Sequence, residues 1–388
     1  MSRVPTDRIQ TIQSPVIPIV GEWIAAHPGT ISLGQGVVHY SAPDTVSQAV
    51  VESVRNDPSI DRYNSVVGIE MLIERIGQKL LRENGLQLDN SSIVITPGSN
   101  TGFMNAVFAI ADVDDEIILL SPFYFNHEMA IDLAGCKPIH VPTDANYQID
   151  LDAIENAITP RTRAVVTVSP NNPTGAMYSE ASLTAVNQLC KTKSIYHISD
   201  EAYEYFTYGD EHHFSPGSLP DASEHTISLF TLSKAYGMAG WRMGYMALPK
   251  HLNTAVKKIQ DTNLVCPPIL NQIAAAAALD AGAEWCKQKI AGFESVRNLV
   301  LEQLGTLGDR CRVPKPDGAF YVLAQVKSDR NDLDLVHELI RDHGVAVMPG
   351  TTFGVKTGCS LRIAYGALAQ ETVAEGMGRL VSGLSKLL

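Results

Sequence analysis

Short apolar runs recur along the chain between about residues 90 and 250, each followed by a turn signal and usually by a longer helical pattern. Most of these runs are continuously apolar, which is expected when helices cover both faces of a parallel sheet. The candidate strands are Ser92–Thr96, Glu116–Leu120, Lys137–Val141, Ala164–Ser169, Ile195–Ser199, Thr226–Thr231 and Met243–Leu248. The pattern predicts an α/β fold with a mostly parallel central sheet and helices on both of its faces.

Helical periodicity separates several of these runs and then dominates the chain from about residue 270. The candidate helices are Thr101–Ala111, Ser179–Lys191, Pro249–Thr262, an Ala-rich stretch from Leu270 and a long amphipathic stretch over Trp285–Leu304.

The last part of the chain has a different pattern. Beyond Pro314, the strand-like runs Ala319–Gln325 and Leu361–Ala364 are separated by a helix near Leu333–His343, which predicts a smaller α+β domain. The first 44 residues contain few regular signals and several Pro and Gly. We therefore predict an N-terminal arm and part of the small domain over residues 1–44, a large domain over residues 45–284 and a small C-terminal domain over residues 285–388.

Charge and composition exclude several classes of function. The chain has 30 basic and 42 acidic residues, and its net charge of −12 opposes binding to a nucleic-acid backbone. Its six cysteines form no C-x-x-C pair and do not cluster with histidine, so we expect no metal site and a reducing compartment. No segment reaches the roughly 20 apolar residues of a membrane-spanning helix, and no signal peptide is recognisable at the N-terminus. These features predict a cytoplasmic protein with no membrane partner.

Four of the predicted strands end in polar sequences that are typical of a ligand site. Ligands of parallel α/β sheets bind beyond the carboxyl ends of the strands, so these sequences are expected to share one edge. They are Pro97-Gly98-Ser99-Asn100-Thr101 at the start of a helix, Pro170-Asn171-Asn172-Pro173-Thr174-Gly175, Asp200-Glu201-Ala202-Tyr203, and Leu232-Ser233-Lys234.

The residue types in this set fit the chemistry of pyridoxal 5'-phosphate (PLP). A helix N-terminus offers unpaired N–H groups and a positive dipole end, which suit a phosphate. A lysine in a partly desolvated pocket is a nucleophilic amine that forms a Schiff base with an aldehyde. A carboxylate beside a pyridinium nitrogen keeps the ring an electron sink. The sequence therefore predicts PLP as the cofactor.

The order of the motifs resembles one family of PLP enzymes. N-N-P-T-G, D-E-A-Y and Ser233-Lys234 followed by G-W-R-M-G occur in sequence at fitting intervals. On these motifs the chain resembles the class I/II aminotransferases of PLP fold type I, from Leu33-Gly34-Gln35-Gly36 to Leu361-Arg362-Ile363-Ala364-Tyr365-Gly366. The resemblance implies ping-pong transfer of an amino group from an L-amino acid to a 2-oxo acid.

The resemblance also implies a residue for each part of the cofactor. Lys234 is the Schiff-base lysine and catalytic residue, and Asp200 pairs with the pyridine nitrogen. The other implied cofactor residues are Ser99, Asn100, Thr101 and Arg242 at the phosphate, Asn172 and Tyr203 at the ring 3-oxygen, and Tyr124 on the ring face. A hydroxyl partner of the phosphate falls at Ser233 or Thr231, and Ser233 is preferred.

The implied substrate residues are Arg362, Gly36 and Asn172. Arg362 binds the α-carboxylate, a task that suits the planar two-donor edge of a guanidinium. One departure concerns the substrate side chain. Many relatives have a Pro and an aromatic residue soon after the glycine of the first motif, whereas this chain reads Gly36-Val37-Val38-His39-Tyr40.

Two alternative functions stay open from the sequence. A carbon–sulfur β-lyase uses the same fold and cofactor, and small changes in the pocket decide between the reactions. A non-catalytic PLP-binding regulatory protein is the second alternative. Its usual form has an added DNA-binding module, which we do not expect here, and the intact Lys234 also argues against it.

The segment Tyr63-Asn64-Ser65-Val66-Val67-Gly68 resembles the family segment whose tyrosine crosses a subunit interface. The resemblance implies a homodimer in which Tyr63 reaches the cofactor phosphate of the neighbouring subunit. The histidines at 39, 127, 212 and 213 have no motif around them, and we predict that they are packed or solvated without a role in the site.

Overall fold

The computed structural model describes residues 6–388, in which strands and helices alternate as the apolar pattern predicts. The strands are β1 (Ile31–Ser32), β2 (Ser91–Thr96), β3 (Glu116–Ser121), β4 (Lys137–Pro142), β5 (Thr162–Val168), β6 (Tyr196–Asp200), β7 (Thr226–Thr231), β8 (Gly244–Pro249), β9 (Cys311–Arg312), β10 (Tyr321–Val326), β11 (Val345–Ala346), β12 (Met348–Pro349) and β13 (Cys359–Ala364). The helices are α1 (Asp7–Thr11), α2 (Val16–Ala26), α3 (Asp44–Asn56), α4 (Glu70–Asn84), α5 (Ser99–Ile110), α6 (Phe125–Leu133), α7 (Leu151–Ala157), α8 (Glu180–Lys193), α9 (Asn253–Leu264), α10 (Ile269–Ile290), α11 (Phe293–Gly305), α12 (Asp332–His343) and α13 (Gln370–Leu387).

The seven predicted strands between residues 91 and 249 form one sheet in the order β2-β8-β7-β6-β5-β3-β4. The pairs within β7-β6-β5-β3-β4 are parallel, whereas β8 runs antiparallel to both of its neighbours. Helices α5 to α8 make the crossovers that parallel strands require. The predicted α/β fold with a mostly parallel sheet is confirmed.

Side chains of the central strands alternate between two buried faces. Ile117 and Leu119 of β3 pack into an apolar cluster that contains residues of α5, α6 and α9. Their neighbours Ile118 and Leu120 pack on the opposite face with residues of α7 and α8. Because successive side chains of a strand point to opposite faces, burial of both faces requires the continuous apolar runs seen in the sequence.

A second, antiparallel sheet has the order β12-β13-β10-β9 and lies with helices α11 to α13 in the last part of the chain. The N-terminal segment joins this part, since β1 pairs in parallel with β11. Helix α2 also packs there, with the rings of Trp23 and His337 4.4 Å apart. These contacts associate residues 16–32 with the C-terminal elements.

The local structure differs from the sequence pattern at two places. Residues 6–44 contain regular helices, because the apolar side chains of α2 pack on the C-terminal elements despite Pro18 and Gly21 in its interior; residues 1–5 lie outside the described part of the chain. The single amphipathic helix over 285–304 is interrupted, because α10 ends at Ile290 and α11 begins at Phe293. Gly292 between them has low helix propensity, and hydrophobic periodicity does not register such a break.

Within residues 6–388, no helix is both long and apolar enough to cross a membrane.

Candidate active site

The carboxyl ends of the central strands surround a cleft of about 220 Å³. Ten of the residues singled out from the sequence line it: Ser99, Asn100, Tyr124, Asn172, Asp200, Tyr203, Thr231, Ser233, Lys234 and Arg242. The sequence did not single out the other four lining residues, which are Val37, Val168, Ala202 and Ala239. The four strand-end motifs therefore meet at one edge of the sheet, as the topology of parallel strands requires.

Four singled-out residues lie outside this lining. Gly36 and Arg362 border the cleft through hydrogen bonds to Lys234 and Asn172 respectively. The Thr101 hydroxyl instead donates to the carbonyl of Pro97 at 3.1 Å, an internal contact of the first helical turn. Tyr63 is 83% exposed on the surface of the single chain.

Lys234 is a partly buried amine that lines the cleft. Its Nζ donates to the carbonyl oxygen of Gly36 at 2.6 Å. Burial lowers the pKa of Lys234 to about 8, the positive charges of Arg362 and Arg242 act in the same direction, and Asp200 opposes them. A lower pKa leaves more of the amine neutral near pH 7, as a nucleophile requires.

The N-terminus of α5 and the start of β8 form one end of the cleft. Gly98, at φ 81°, turns the chain from β2 into α5, and a Cβ there would lie 2.3 Å from Nη2 of Arg242. A Cβ on Gly244 would lie 2.7 Å from the backbone nitrogen of Ser99. The two glycines thus let Arg242 approach the free N–H groups of the helix, a combination that suits a phosphate. Ser233 adds a hydroxyl, 3.5 Å from Nη1 of Arg242.

Asp200 is the last residue of β6, and its side chain is buried. Its Oδ1 accepts the backbone N–H of Ala202 at 3.1 Å, and its Oδ2 lies 3.0 Å from Nε2 of His127. The His127 ring stacks on Phe103 with centroids 4.0 Å apart. These contacts fix the direction of the carboxylate.

The structure thus corrects the prediction that His127 has no role in the site, because its ring contacts the Asp200 carboxylate. His127 follows Tyr124, the N-cap of α6, by three positions, and the rings of the two residues lie 5.2 Å apart. That spacing was the signal available in the sequence.

Arg362 is held rigidly beside the cleft. Its Nη1 donates to Oδ1 of Asn172 at 3.2 Å and its Nη2 to the carbonyl of Gly34 at 2.6 Å. The guanidinium carbon lies 4.8 Å from the Tyr321 ring centre and 4.7 Å from that of Phe353. Burial lowers the pKa of Arg362, and its Nε is buried without a hydrogen-bond partner in residues 6–388. A planar cation with unused donor capacity suits a carboxylate.

Tyr321, on β10, is a second residue that the sequence reasoning missed. Its hydroxyl lies 2.8 Å from the hydroxyl of Tyr203, which also accepts from Nδ2 of Asn172 at 3.4 Å. Burial raises the pKa of Tyr321 to about 12 and that of Tyr203 well above its usual value. Both phenols are therefore neutral hydrogen-bond donors at pH 7.

The donor set fits PLP on three independent observations. The cleft contains the Lys234 amine with its lowered pKa, the oriented carboxylate of Asp200, and an anion-binding end formed by the α5 N-terminus and Arg242. These are the groups that an aldehyde, a pyridine nitrogen and a phosphate need.

Known proteins resemble this chain in sequence and in fold. The family model of aminotransferase class I and II matches residues 28–380. The chain is 34% identical over 385 residues to an aromatic aminotransferase of Arabidopsis thaliana, covering 96% of this chain and 94% of that protein. It is 30% identical over 381 residues to an aspartate aminotransferase of Pyrococcus abyssi, covering 97% of each.

A solved structure, the aspartate aminotransferase from Thermus thermophilus with maleate, superposes with a TM-score of 0.89 at 30% identity and covers 98% of this chain and all of that one. The family model, the relatives and the solved structure each match nearly the whole length of this chain. The chain therefore belongs to the class I and II aminotransferases.

Proposed function

We propose that the cleft transfers an amino group between an L-amino acid and a 2-oxo acid, with PLP held on Lys234. The observation that carries the proposal is the amine of Lys234, whose pKa is lowered to about 8 in the same cleft as Asp200 and the α5 N-terminus. Aminotransferases of this family use PLP, and their substrates are amino acids and 2-oxo acids.

Each part of the cofactor has a proposed partner among the residues lining the cleft. At the phosphate these are Ser99, Asn100, Ser233 and Arg242; at the ring they are Asp200, Asn172, Tyr203 and Tyr124. When bound, PLP supplies an electron sink that stabilises negative charge at the substrate α-carbon. Asp200 supports this function by holding a proton on the pyridine nitrogen, and His127 keeps the carboxylate in place.

Ser233 is the better candidate for the phosphate hydroxyl. The Thr231 hydroxyl has two hydrogen-bond acceptors within the protein, the Ser233 hydroxyl oxygen at 2.9 Å and the carbonyl oxygen of Met243 at 3.2 Å. Ser233 lies next to Arg242, the cation of the phosphate end. We therefore assign Thr231 the role of orienting Ser233, and Thr101 the role of stabilising the first turn of α5.

Arg362 is the proposed clamp for the substrate α-carboxylate, since its guanidinium is already oriented by Asn172 and Gly34. Gly36 fits a backbone contact with substrate, because a Cβ there would lie 2.5 Å from the Tyr321 hydroxyl oxygen. With the α-carboxylate on Arg362, Nζ of Lys234 accepts the proton from the substrate α-carbon. A neutral amine is required for this step, and the lowered pKa of Lys234 raises the fraction of the amine that is neutral near pH 7.

We also propose a cytoplasmic homodimer. Exposed apolar side chains at Val51, Val54, Tyr63 and Val265 support a subunit interface. The backbone N–H of Asn64 donates to Sγ of Cys266, so the Tyr63 and Val265 segments lie together. All six cysteines are unpaired, which fits a reducing compartment.

The domain division is proposed at residues 44 and 284. Gly282 supports the second boundary, because it interrupts α10 with φ 77° and ψ 175°, a conformation essentially restricted to glycine.

The function is tested with purified protein, PLP, a series of amino acids and 2-oxoglutarate. Glutamate formation that depends on the amino donor supports transfer. Pyruvate and ammonia from a cysteine conjugate, without glutamate, would indicate β-elimination instead. PLP binding without turnover of any donor would indicate a regulatory protein. Lys234→Ala is the control for reactions that free PLP catalyses in solution.

A further inference from the structure

The segment that follows β6 presents two different faces. Asp200, Ala202 and Tyr203 line the cleft. Glu201 and Glu204 are absent from this lining and instead bind His213 and Lys79 respectively. The backbone of one short segment therefore connects the cofactor face to a buried polar cluster that the proposed chemistry does not use.

Lys79 of α4 is the cation of that cluster and is only 2% exposed. Its Nζ bonds Oε2 of Glu204 and donates to Oδ1 of Asn84 at 2.8 Å. The same ammonium lies 4.8 Å from the ring centre of Phe230. The side chains of Lys79 and Glu204 are only 3% and 10% exposed, and a buried ammonium needs a partner of opposite charge, so the positions of the two residues are coupled.

Glu201 provides a second attachment. Its Oε2 accepts hydrogen bonds from Nε2 of His213 at 2.8 Å and from the hydroxyl of Ser215. Nδ2 of Asn84 donates both to Ser215 and to Glu204, each at 2.9 Å, and thereby links the two carboxylates. We name this set the rear network; its members are Lys79, Asn84, Glu201, Glu204, His213 and Ser215.

We propose that Lys79 is a positioning residue, which acts through the rear network to hold Asp200 and Tyr203 at the cofactor. The inference rests on the proposed function and adds residues that do not touch the cleft. Displacement of a reacting group by about 1 Å can lower a rate by about 100-fold, so a rigid rear attachment has a catalytic consequence.

The positioning role has a spectroscopic signature. The Tyr203 phenol is the proposed donor to the cofactor 3-oxygen, and donation to an anionic oxygen favours the deprotonated form of the adjacent Lys234 linkage. A loosened Tyr203 is therefore expected to raise the pH at which the absorbance of the bound cofactor titrates. A purely structural role of Lys79 would lower thermal stability and leave this titration unchanged.

The main test variant is Lys79→Met/Glu204→Leu, which removes both charges together and avoids leaving one of them buried alone. Ser215→Ala is a milder second variant, since it keeps the Lys79–Glu204 ion pair and the His213–Glu201 hydrogen bond and removes only the hydroxyl between Asn84 and Glu201. The measurements are the pH titration of cofactor absorbance, the dissociation constant of PLP, and hydrogen–deuterium exchange of residues 200–205.

The matched control is Asn187→Ala. Asn187 belongs to another buried polar network, bonding Thr226 at 2.8 Å and Nδ1 of His197 at 3.1 Å. Thr226 and His197 lie near the starts of β7 and β6, the ends of the same strands that are remote from the cleft. This variant is expected to lower the melting temperature with an unchanged titration.

For the main variant we expect the titration to move upward by about half a pH unit or more, faster exchange in residues 200–205, and a fall in kcat/KM of about 10-fold or more. Ser215→Ala should shift the titration in the same direction. Folded variants whose melting temperature falls while the titration stays unchanged, as expected for the control, would overturn the positioning role. A wild-type protein that binds no PLP would overturn the proposed function itself.

Discussion

Among single residues, the lowered pKa of the Lys234 amine is the feature on which the proposed chemistry depends. The cleft removes the ammonium from water and places it near Arg362 and Arg242, and these effects exceed the opposing charge of Asp200. Arg362 is likewise buried, with its orientation set by Asn172 and two aromatic rings. The two cations thus differ in function: the first loses its proton, whereas the second keeps its charge.

Capture of PLP by the cofactor-free protein should depend on pH through Lys234. Only the neutral amine attacks an aldehyde, so the capture rate should rise with pH through about 8 and level off above it. Stopped-flow absorbance measures the rate. Borohydride reduction followed by peptide mapping should find the adduct on Lys234, and Lys234→Ala should show none. A midpoint near the usual lysine pKa, or an adduct on another lysine, contradicts the assignment.

Arg362→Lys should raise KM for every amino-acid substrate by roughly 10- to 100-fold, because an ammonium cannot make the paired contact of a guanidinium with a carboxylate. The absorbance spectrum of the bound cofactor should stay unchanged, which separates this effect from damage to the PLP site. Steady-state kinetics with several donors are the measurement. Unaltered KM values would show that the carboxylate binds elsewhere.

At the scale of elements, the phosphate end of the cleft depends on the close approach of α5 and β8. Gly98 and Gly244 leave no room for side chains between the helix N-terminus, the strand and Arg242. Parallel strands bring their carboxyl ends to one edge, and the antiparallel β8 brings Arg242 to the same edge by its amino end. The direction of β8 therefore has a functional consequence.

Gly98→Ala should weaken PLP binding by roughly 10-fold, because its Cβ would occupy the position of the Arg242 guanidinium and its φ of 81° disfavours a side chain. Gly240→Ala is the matched control, since a Cβ there meets no atom within 4 Å although Arg242 is only two residues away. Equilibrium titration of cofactor-free protein measures both dissociation constants. Equal values for the two variants would contradict the role given to the α5–Arg242 contact.

At the scale of the whole molecule, the site is proposed to be complete only in a dimer. Tyr63 is 83% exposed, and it neighbours Cys266 through Asn64 in a region with other exposed apolar side chains. A phenol from the partner subunit would give the phosphate a charge-assisted hydrogen bond worth roughly 1.5–3 kcal/mol.

Co-expression of Tyr63→Phe and Lys234→Ala chains tests this shared site. The single lysine-bearing site of the heterodimer would receive its tyrosine from the Lys234→Ala chain, so its PLP affinity should equal that of the wild type. The Tyr63→Phe homodimer is the control and should bind PLP more weakly. A heterodimer that remains as weak as this control would show that Tyr63 acts within its own chain.

Local signals in the sequence were sufficient for the sheet and for most of the cleft lining. A strand buried on both faces must be apolar throughout, and the polar residues that follow it are contiguous with it in the chain. For this reason the sequence alone predicts that Lys234, Asp200 and the α5 N-terminus lie at one edge of the sheet. Their residue types indicated PLP chemistry, the family resemblance assigned each residue to a part of the cofactor, and these roles stay predictions.

Tertiary structure alone decided the contacts between distant residues. Tyr203 and Tyr321 are 118 positions apart, Lys79 and Glu204 are 125 apart, and Asn172 and Arg362 are 190 apart, so no local pattern relates them. Hydrophobic periodicity also did not predict the break between α10 and α11, because apolar residues stand on both sides of it, at Ile290 and Phe293. The sequence by itself determined which polar groups follow the strands. The packing of sheets and helices determined which partners orient those groups, because orientation depends on neighbours that only folding brings together.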